Sequence, residues 1–217
     1  MSHQVDLFWS FRSPYSYLVT PRLVELERDY DAQVTVRPVL PIAVRQPDFF
    51  ARADPLWPGY LLRDCKRSAD YVGLPLRWPR PDPVVMDMVT RTYPLEQPHI
   101  YRLTRLGQLA AERGHGLAVL RSVSHLIWSG EVDNWHEGDH LDRAVAAAGG
   151  DLAEMDGVLA AEAERLDAAI KLNEADQRIG GHYGVPLMVY AGEPFFGQDR
   201  YDQLLWRMQQ TGLQART

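Results

Sequence analysis

The chain holds a single cysteine, Cys65, in 217 residues. One thiol permits neither an intrachain disulfide nor a dithiol redox cycle within the chain, which fits a reducing compartment. Long apolar runs are missing as well. No window reaches the roughly 18–20 consecutive apolar residues that a membrane-spanning helix needs. Positive charge is not in excess either: 23 Lys and Arg stand against 29 Asp and Glu, a formal net charge of −6. Nucleic-acid binding calls for clustered Lys and Arg, and the densest basic stretch, Arg63 to Arg67, is interrupted by Asp64 and reads as a solvated helix face. Residues Met1 to Asp6 carry no basic or apolar leader pattern, so no secretory signal is visible. There is no internal repeat and no low-complexity segment. The expectation is a soluble, cytoplasmic protein without a nucleic-acid or membrane partner.

What is present is an ordinary globular composition, 46% hydrophobic and 24% charged. The length suits one sizeable domain, or a small domain with another inserted into it. Periodicity predicts a strand over Val5–Trp9, a helix from about Pro14 to Tyr30, and an alternating β-branched strand over Val34–Arg37. That order implies a parallel strand pair with a right-handed crossover. Interior proline costs a helix about 3 kcal/mol or more, so Pro21 predicts a kink, or a fresh start with Thr20 as N-cap.

From Pro38 to about Asn173 strand character fades, and Ala, Leu, Arg and Glu recur at helical spacing. Helices are expected near 60–71, 98–113, 117–129, 139–148 and 151–176, with Gly114 and Gly149 closing two of them. Prolines 38, 41, 47, 75, 79, 81 and 83 mark the loops. The end returns to mixed structure: strand Pro186–Tyr190, turn Ala191-Gly192-Glu193, strand Pro194–Phe196 and a closing helix over Asp199–Gln210. This is the order of an all-α domain, residues 39–177, inserted into a small α/β domain made of residues 1–38 and 178–217.

Three local motifs carry chemistry. Ser13-Pro14-Tyr15-Ser16 follows the first strand and opens the first helix. A helix start presents unpaired N–H groups and a positive dipole end, which suits an anion. Thiol oxidoreductases of the thioredoxin type place Cys-x-x-Cys at such a turn and use that field to stabilise a thiolate. Here serine stands at both positions. A hydroxyl cannot form a disulfide, but it can hydrogen-bond another molecule's thiolate; it also serves as a plain N-cap with proline at N1. The second motif, Gly184-Val185-Pro186, heads a strand with an X-Pro bond open to the cis form. The third, Phe196-Gly197-Gln198-Asp199-Arg200, lies at the mouth of the last helix, where it also reads as helix capping plus a surface charge.

Together with the helical insertion, these motifs resemble the 2-hydroxychromene-2-carboxylate isomerase family and the related kappa-class glutathione transferases, both in the DsbA-like branch of thioredoxin folds. The likeness spans the whole chain. It implies a thioredoxin-like domain with an inserted helical domain, glutathione as cofactor, a small aromatic substrate and a homodimer. It also implies that Ser13 contacts the glutathione sulfur as the catalytic residue. By the same likeness Val185, before Pro186, pairs by backbone with the cysteinyl part, while Gln198 and Asp199, with Arg200 beside them, hold the γ-glutamyl end. A tripeptide can indeed add as an extra strand to an exposed backbone edge, and Asp199 can pair with an α-ammonium group. The implied activity is cis-trans isomerisation of an aromatic 2-oxo acid. A kappa-like transferase or peroxidase, and a DsbA-like protein without activity, remain as alternatives. Two departures stand out: Trp57 occupies the place of a lysine common in relatives, and the Pro38–Pro55 loop has no asparagine. Tyr60, Asp64 and Arg67 keep the helix pattern.

The remaining signals read as structural. His136-Glu137-Gly138-Asp139-His140 fits the H-E-x-x-H pattern. That chemistry needs both imidazoles on one turn of a regular helix and a third ligand, whereas Gly138 and Asp133-Asn134 point to a loop or helix start. No metal site is read there. Cys65 reads as a packed apolar residue. Trp9, Trp57, Tyr60 and Trp128 read as core, with Trp9 and Trp57 placed to line a cleft near Ser13.

Overall fold

The computed structural model describes residues 3–87 and 92–216. The outermost residues of the expected α/β domain, 1–2 and 217, and residues 88–91 of the expected insertion lie outside the described residues.

Strand β1 (His3–Trp9) is the centre of a four-stranded sheet of order β2-β1-β3-β4. It pairs in parallel with β2 (Ala32–Pro38) and antiparallel with β3 (Leu187–Tyr190), which pairs antiparallel with β4 (Glu193–Phe196). Its run Leu7-Phe8-Trp9 is apolar without alternation because both faces are covered. Val5, Leu7 and Trp9 join the large core, while Phe8 meets Val39 and Leu187 on the other side. The β3–β4 connection is a two-residue turn, Ala191 and Gly192, both at positive φ (51° and 80°), as hairpins of this length require.

Helix α1 (Pro14–Asp29) runs unbroken through Pro21, so of the two readings, a kink or a fresh start, the fresh start at Thr20 does not occur. Thr20 is instead a buried mid-helix anchor. Its hydroxyl donates to the Ser16 carbonyl (2.7 Å) and accepts from the Trp9 indole (3.1 Å). The local cost of proline is offset by packing, since Leu18, Val19, Leu23 and Leu26 are all fully buried.

Between β2 and β3 the described residues form the helical insertion: α2 (Ile42–Arg45), α3 (Trp57–Val72), α4 (Ile100–Glu112), α5 (Gly116–Trp128), α6 (His140–Ala147), α7 (Leu152–Ala161) and α8 (Ala163–Ile179). Gly114 and Gly149, both at φ 82°, follow the ends of α4 and α6 as expected. The single helix expected over 151–176 is two, broken at Glu162. No Gly or Pro marks the break. It lets α7 and α8 each pack on α4, burying Leu159 and Leu166, whereas one straight rod could follow α4 only along a single line. The short α2, in a segment that reads as loop, was not anticipated. The chain ends in a 3₁₀ turn, Gln198–Arg200, and α9 (Tyr201–Gln210), so the closing helix begins as a tighter turn than expected. No helix among the described residues is long and apolar enough to cross a membrane.

Candidate active site

Ser13 is the N-cap of α1, in extended conformation, and its hydroxyl oxygen accepts from the Ser16 N–H at 3.1 Å. Pro14 occupies the first helical position, where its missing N–H costs nothing. No acidic side chain stands in the first turn, so the positive end of the helix is not neutralised from within. The Ser13 hydroxyl donates across the sheet to the Val185 carbonyl at a long 3.4 Å. The first two motifs, 172 residues apart, therefore meet.

The Val185–Pro186 bond is cis. The segment leading into it is held carbonyl by carbonyl. Arg45 Nη2 donates to Tyr183 O (3.0 Å), Gln177 Nε2 donates to Gly184 O (2.7 Å), and Ser13 takes Val185 O. The Gly184 N–H donates to His182 Nδ1 at 2.9 Å, and burial lowers the His182 pKa. Among the described residues nothing accepts the Val185 N–H. An N–H without a partner on the half-buried Val185, beside a loosely held carbonyl, is an open backbone edge. The third motif joins here: Gly197 N–H donates to Pro186 O at 2.9 Å, and Gly197 adopts φ 104°, a conformation that favours glycine.

An unbroken run of aromatic contacts leads from the residues before Val185 to the residue before Ser13. His182 stacks on Phe196 (3.7 Å between centroids) and on Tyr183 (4.7 Å). Tyr183 meets Phe49 (6.2 Å), Phe49 meets Phe50 (5.3 Å), and Phe50 meets Trp57 (5.5 Å) and Tyr93 (5.9 Å). The Arg12 guanidinium lies 5.8 Å from both the Phe50 and Trp78 rings. Arg12 is fixed there by a two-pronged pair with Asp82, 3.0 Å on each arm, and Asp82 is itself held by the Trp78 indole and the Val84 N–H.

The sequence-predicted residues thus divide. Ser13, Val185 and Pro186 converge, and Gln198 is carried to them by the Gly197 bond. Gln198 is buried, however, while Asp199 and Arg200 are exposed and pair with each other at 3.3 Å. Trp57, read as core, is instead 36% exposed and belongs to the aromatic run. Trp9 does not: it is fully buried, with its indole donating to Ser16 O and Thr20, because β1 is the central strand. Trp128 is core, as expected, whereas Tyr60 is 55% exposed on α3. Cys65 is 1% exposed, and burial pushes its thiol pKa up to about 11, a packed and protonated group. Beside it the Tyr15 hydroxyl donates to Asp64 at 2.6 Å, lowering the Asp64 pKa, with Arg67 also on that carboxylate. His140 begins α6 and contacts Arg143, while His136 lies in the preceding turn against His99 and Trp135, so the two imidazoles share no helical turn.

Arg12, Arg45, Gln177 and His182 were not anticipated. His182 could have been, since it lies two residues before Gly184. A cavity of about 600 Å³, lined by Tyr17, Pro21, Val24, Leu117, Arg121 and His125, includes neither Ser13 nor Val185. Convergence of polar groups marks the site.

The DSBA-like thioredoxin domain family matches residues 4–209. No curated protein sequence matches the chain. Among solved structures, a 2-hydroxychromene-2-carboxylate isomerase superposes with TM-score 0.68 at 21% identity, over 96% of this chain and 95% of that one. A probable DsbA oxidoreductase from Streptomyces coelicolor gives TM-score 0.65 at 18% identity, covering 94% and 89%. The cytosolic disulfide reductase DsbM from Pseudomonas aeruginosa with GSH gives TM-score 0.58 at 15% identity, covering 95% and 99%. At such identities the structural likeness speaks for the fold, and the fold agrees with the family match. The chain belongs to the DsbA-like thioredoxin domain family.

Proposed function

We propose that this protein is a glutathione-dependent cis-trans isomerase of an aromatic 2-oxo acid such as 2-hydroxychromene-2-carboxylate. One observation carries the reading: at the helix start where thioredoxin-type enzymes keep a thiol, Ser13 faces the Val185 carbonyl beside an unpartnered Val185 N–H. That arrangement fits a bound thiol peptide, because an open edge accepts a peptide backbone and a helix N-terminus accepts a sulfur anion. Glutathione, when bound, supplies a thiolate that adds reversibly to a conjugated carbon, making a double bond rotatable until elimination restores it.

The chain's own residues do the rest. Ser13 donates its hydroxyl proton to the sulfur anion, and the first turn of α1 adds its field. An unperturbed thiol near pKa 8.5 is only a few per cent ionised at pH 7, and each unit of lowering is worth about 1.4 kcal/mol. Val185 pairs with the cysteinyl backbone. Gln198, Asp199 and Arg200 serve the γ-glutamyl end, with the exposed Asp199 carboxylate exchanging its Arg200 partner for an ammonium group. The aromatic run from His182 to Tyr93 suits a planar substrate, and Arg12 places a cation at its end. The disulfide chemistry of the DsbA and DsbM neighbours is not supported, because Ser13 and Ser16 hold the helix start and Cys65 is 1% exposed.

Calorimetry with reduced glutathione and a steady-state isomerase assay test this. Ser13→Ala should lower turnover by more than about tenfold, a 1.4 kcal/mol loss or greater, while glutathione affinity changes less. Absence of binding up to millimolar glutathione sinks the reading. Consumption of glutathione in step with product points to a kappa-like transferase instead, since isomerisation consumes none.

A further inference from the structure

We infer that Arg45 and Gln177 are positioning residues that present the Val185 edge to a bound peptide. The inference rests on the glutathione reading for its ligand, though not for its geometry. Gln177 is fully buried on α8, and its amide is spoken for at both ends: Oε1 accepts from Arg45 Nη1 (3.1 Å) and Nε2 donates to Gly184 O (2.7 Å). An amide can flip, and in the flipped state its oxygen would face the Gly184 carbonyl. Arg45, which only donates, forbids that state by requiring the oxygen on its own side. Arg45 also holds Tyr183 O at 3.0 Å, and its guanidinium lies 4.0 Å from Glu174 with the side chain only 8% exposed.

The two residues before Val185 thus have their carbonyls turned inward onto α2 and α8. The Gly184 carbonyl and the Val185 N–H belong to one planar trans peptide and point opposite ways, so fixing that carbonyl fixes where the Val185 N–H points. Neither side chain touches the proposed sulfur position, so both act through the loop. They come from the two segments flanking the site at long range: α2, in the loop where relatives carry an asparagine, and the end of the insertion.

Gln177→Glu separates this role from plain stability. The glutamate keeps the acceptor for Arg45, as an ion pair, but loses the donor to Gly184 O. We expect exchange of the Gly184 amide, bonded to His182 in the free protein, to quicken. Glutathione affinity should fall about tenfold, as loss of a buried donor to an edge carbonyl warrants. Turnover at saturating glutathione should stay within about twofold, a difference under half a kcal/mol. If Gln177→Glu does not fold, Arg45→Lys, which keeps the charge near Glu174 but cannot fork to both oxygens, serves with the same readouts. Unchanged exchange of the Gly184 amide in the folded variant overturns the inference whether or not glutathione binds. Unchanged affinity in a variant of a glutathione-binding wild type overturns it equally. If the wild type fails to bind glutathione while exchange quickens, the loop role stands and the glutathione reading falls.

Discussion

His182 shows how one residue can tie the site to pH. Its Nδ1 accepts from the Gly184 N–H, which only a neutral ring can do, and burial lowers its pKa. The folded-state value therefore lies below the unfolded value of about 6.5. Its contribution to stability is fully present above about pH 6.5 and is lost as pH falls through the lower folded value. Denaturant unfolding of the wild type and His182→Asn across pH 7.5 to 5 checks this, in a range set around the ordinary histidine value of about 6.5. Asparagine can accept from the N–H two residues on without titrating, so the wild type should lose stability relative to the variant on acidification. A constant difference between them refutes the assignment. Ser13 and Val185 were legible at this scale because their motifs are local. Arg12 and Arg45 were not. Their partners lie 70 residues away for Arg12 and 132 to 138 for Arg45, and no spacing rule reaches that far.

Among the elements, the join between the segment before Pro186 and β4 leaves little room. A Cβ on Gly184 would come within 2.5 Å of Phe196 Cε2 and 3.1 Å of His182 Cε1. The Phe196 ring, stacked on His182, leaves space for no side chain there. Gly184→Ala should destabilise by about 1–3 kcal/mol as an overpacking change and weaken glutathione binding. Adding Phe196→Leu to it should recover part of the loss, a non-additive pair in a denaturation cycle. Strict additivity would show that the contact does not govern the loop. Element type was largely readable from the sequence: β1, β2, the hairpin and most helices fall where periodicity puts them. Two departures share one cause. The unbroken passage of α1 through Thr20-Pro21 and the break at Glu162 are both set by packing, against Trp9 and the core in one case and α4 in the other. Local propensity allows a fresh start at the first and predicts no break at the second.

At the scale of the molecule, the order strand-helix-strand, helical block, hairpin, helix sufficed to indicate the insertion. The α/β part folds into a mixed sheet in which the inner strand β1 leads directly to Ser13. Segments 172 residues apart meet at the site, so a ligand there should report on the whole fold. Reduced glutathione at a hundred times its dissociation constant should add about 2.7 kcal/mol. That raises the melting midpoint by about 5–10 °C in a domain of this size. S-methyl glutathione, in the same thermal scan, should fall short by more than a lost sulfur contact explains. The reason is the single proton on the Ser13 hydroxyl. Its oxygen is occupied by the Ser16 N–H, and in the free protein its proton rests on the Val185 carbonyl. A thiolate can claim that proton only if the carbonyl gives it up, and the carbonyl thus released is the acceptor an added peptide strand needs. On the proposed glutathione reading, sulfur capture and backbone pairing would be cooperative through one hydrogen atom, and a ligand without the anion would leave both unmade.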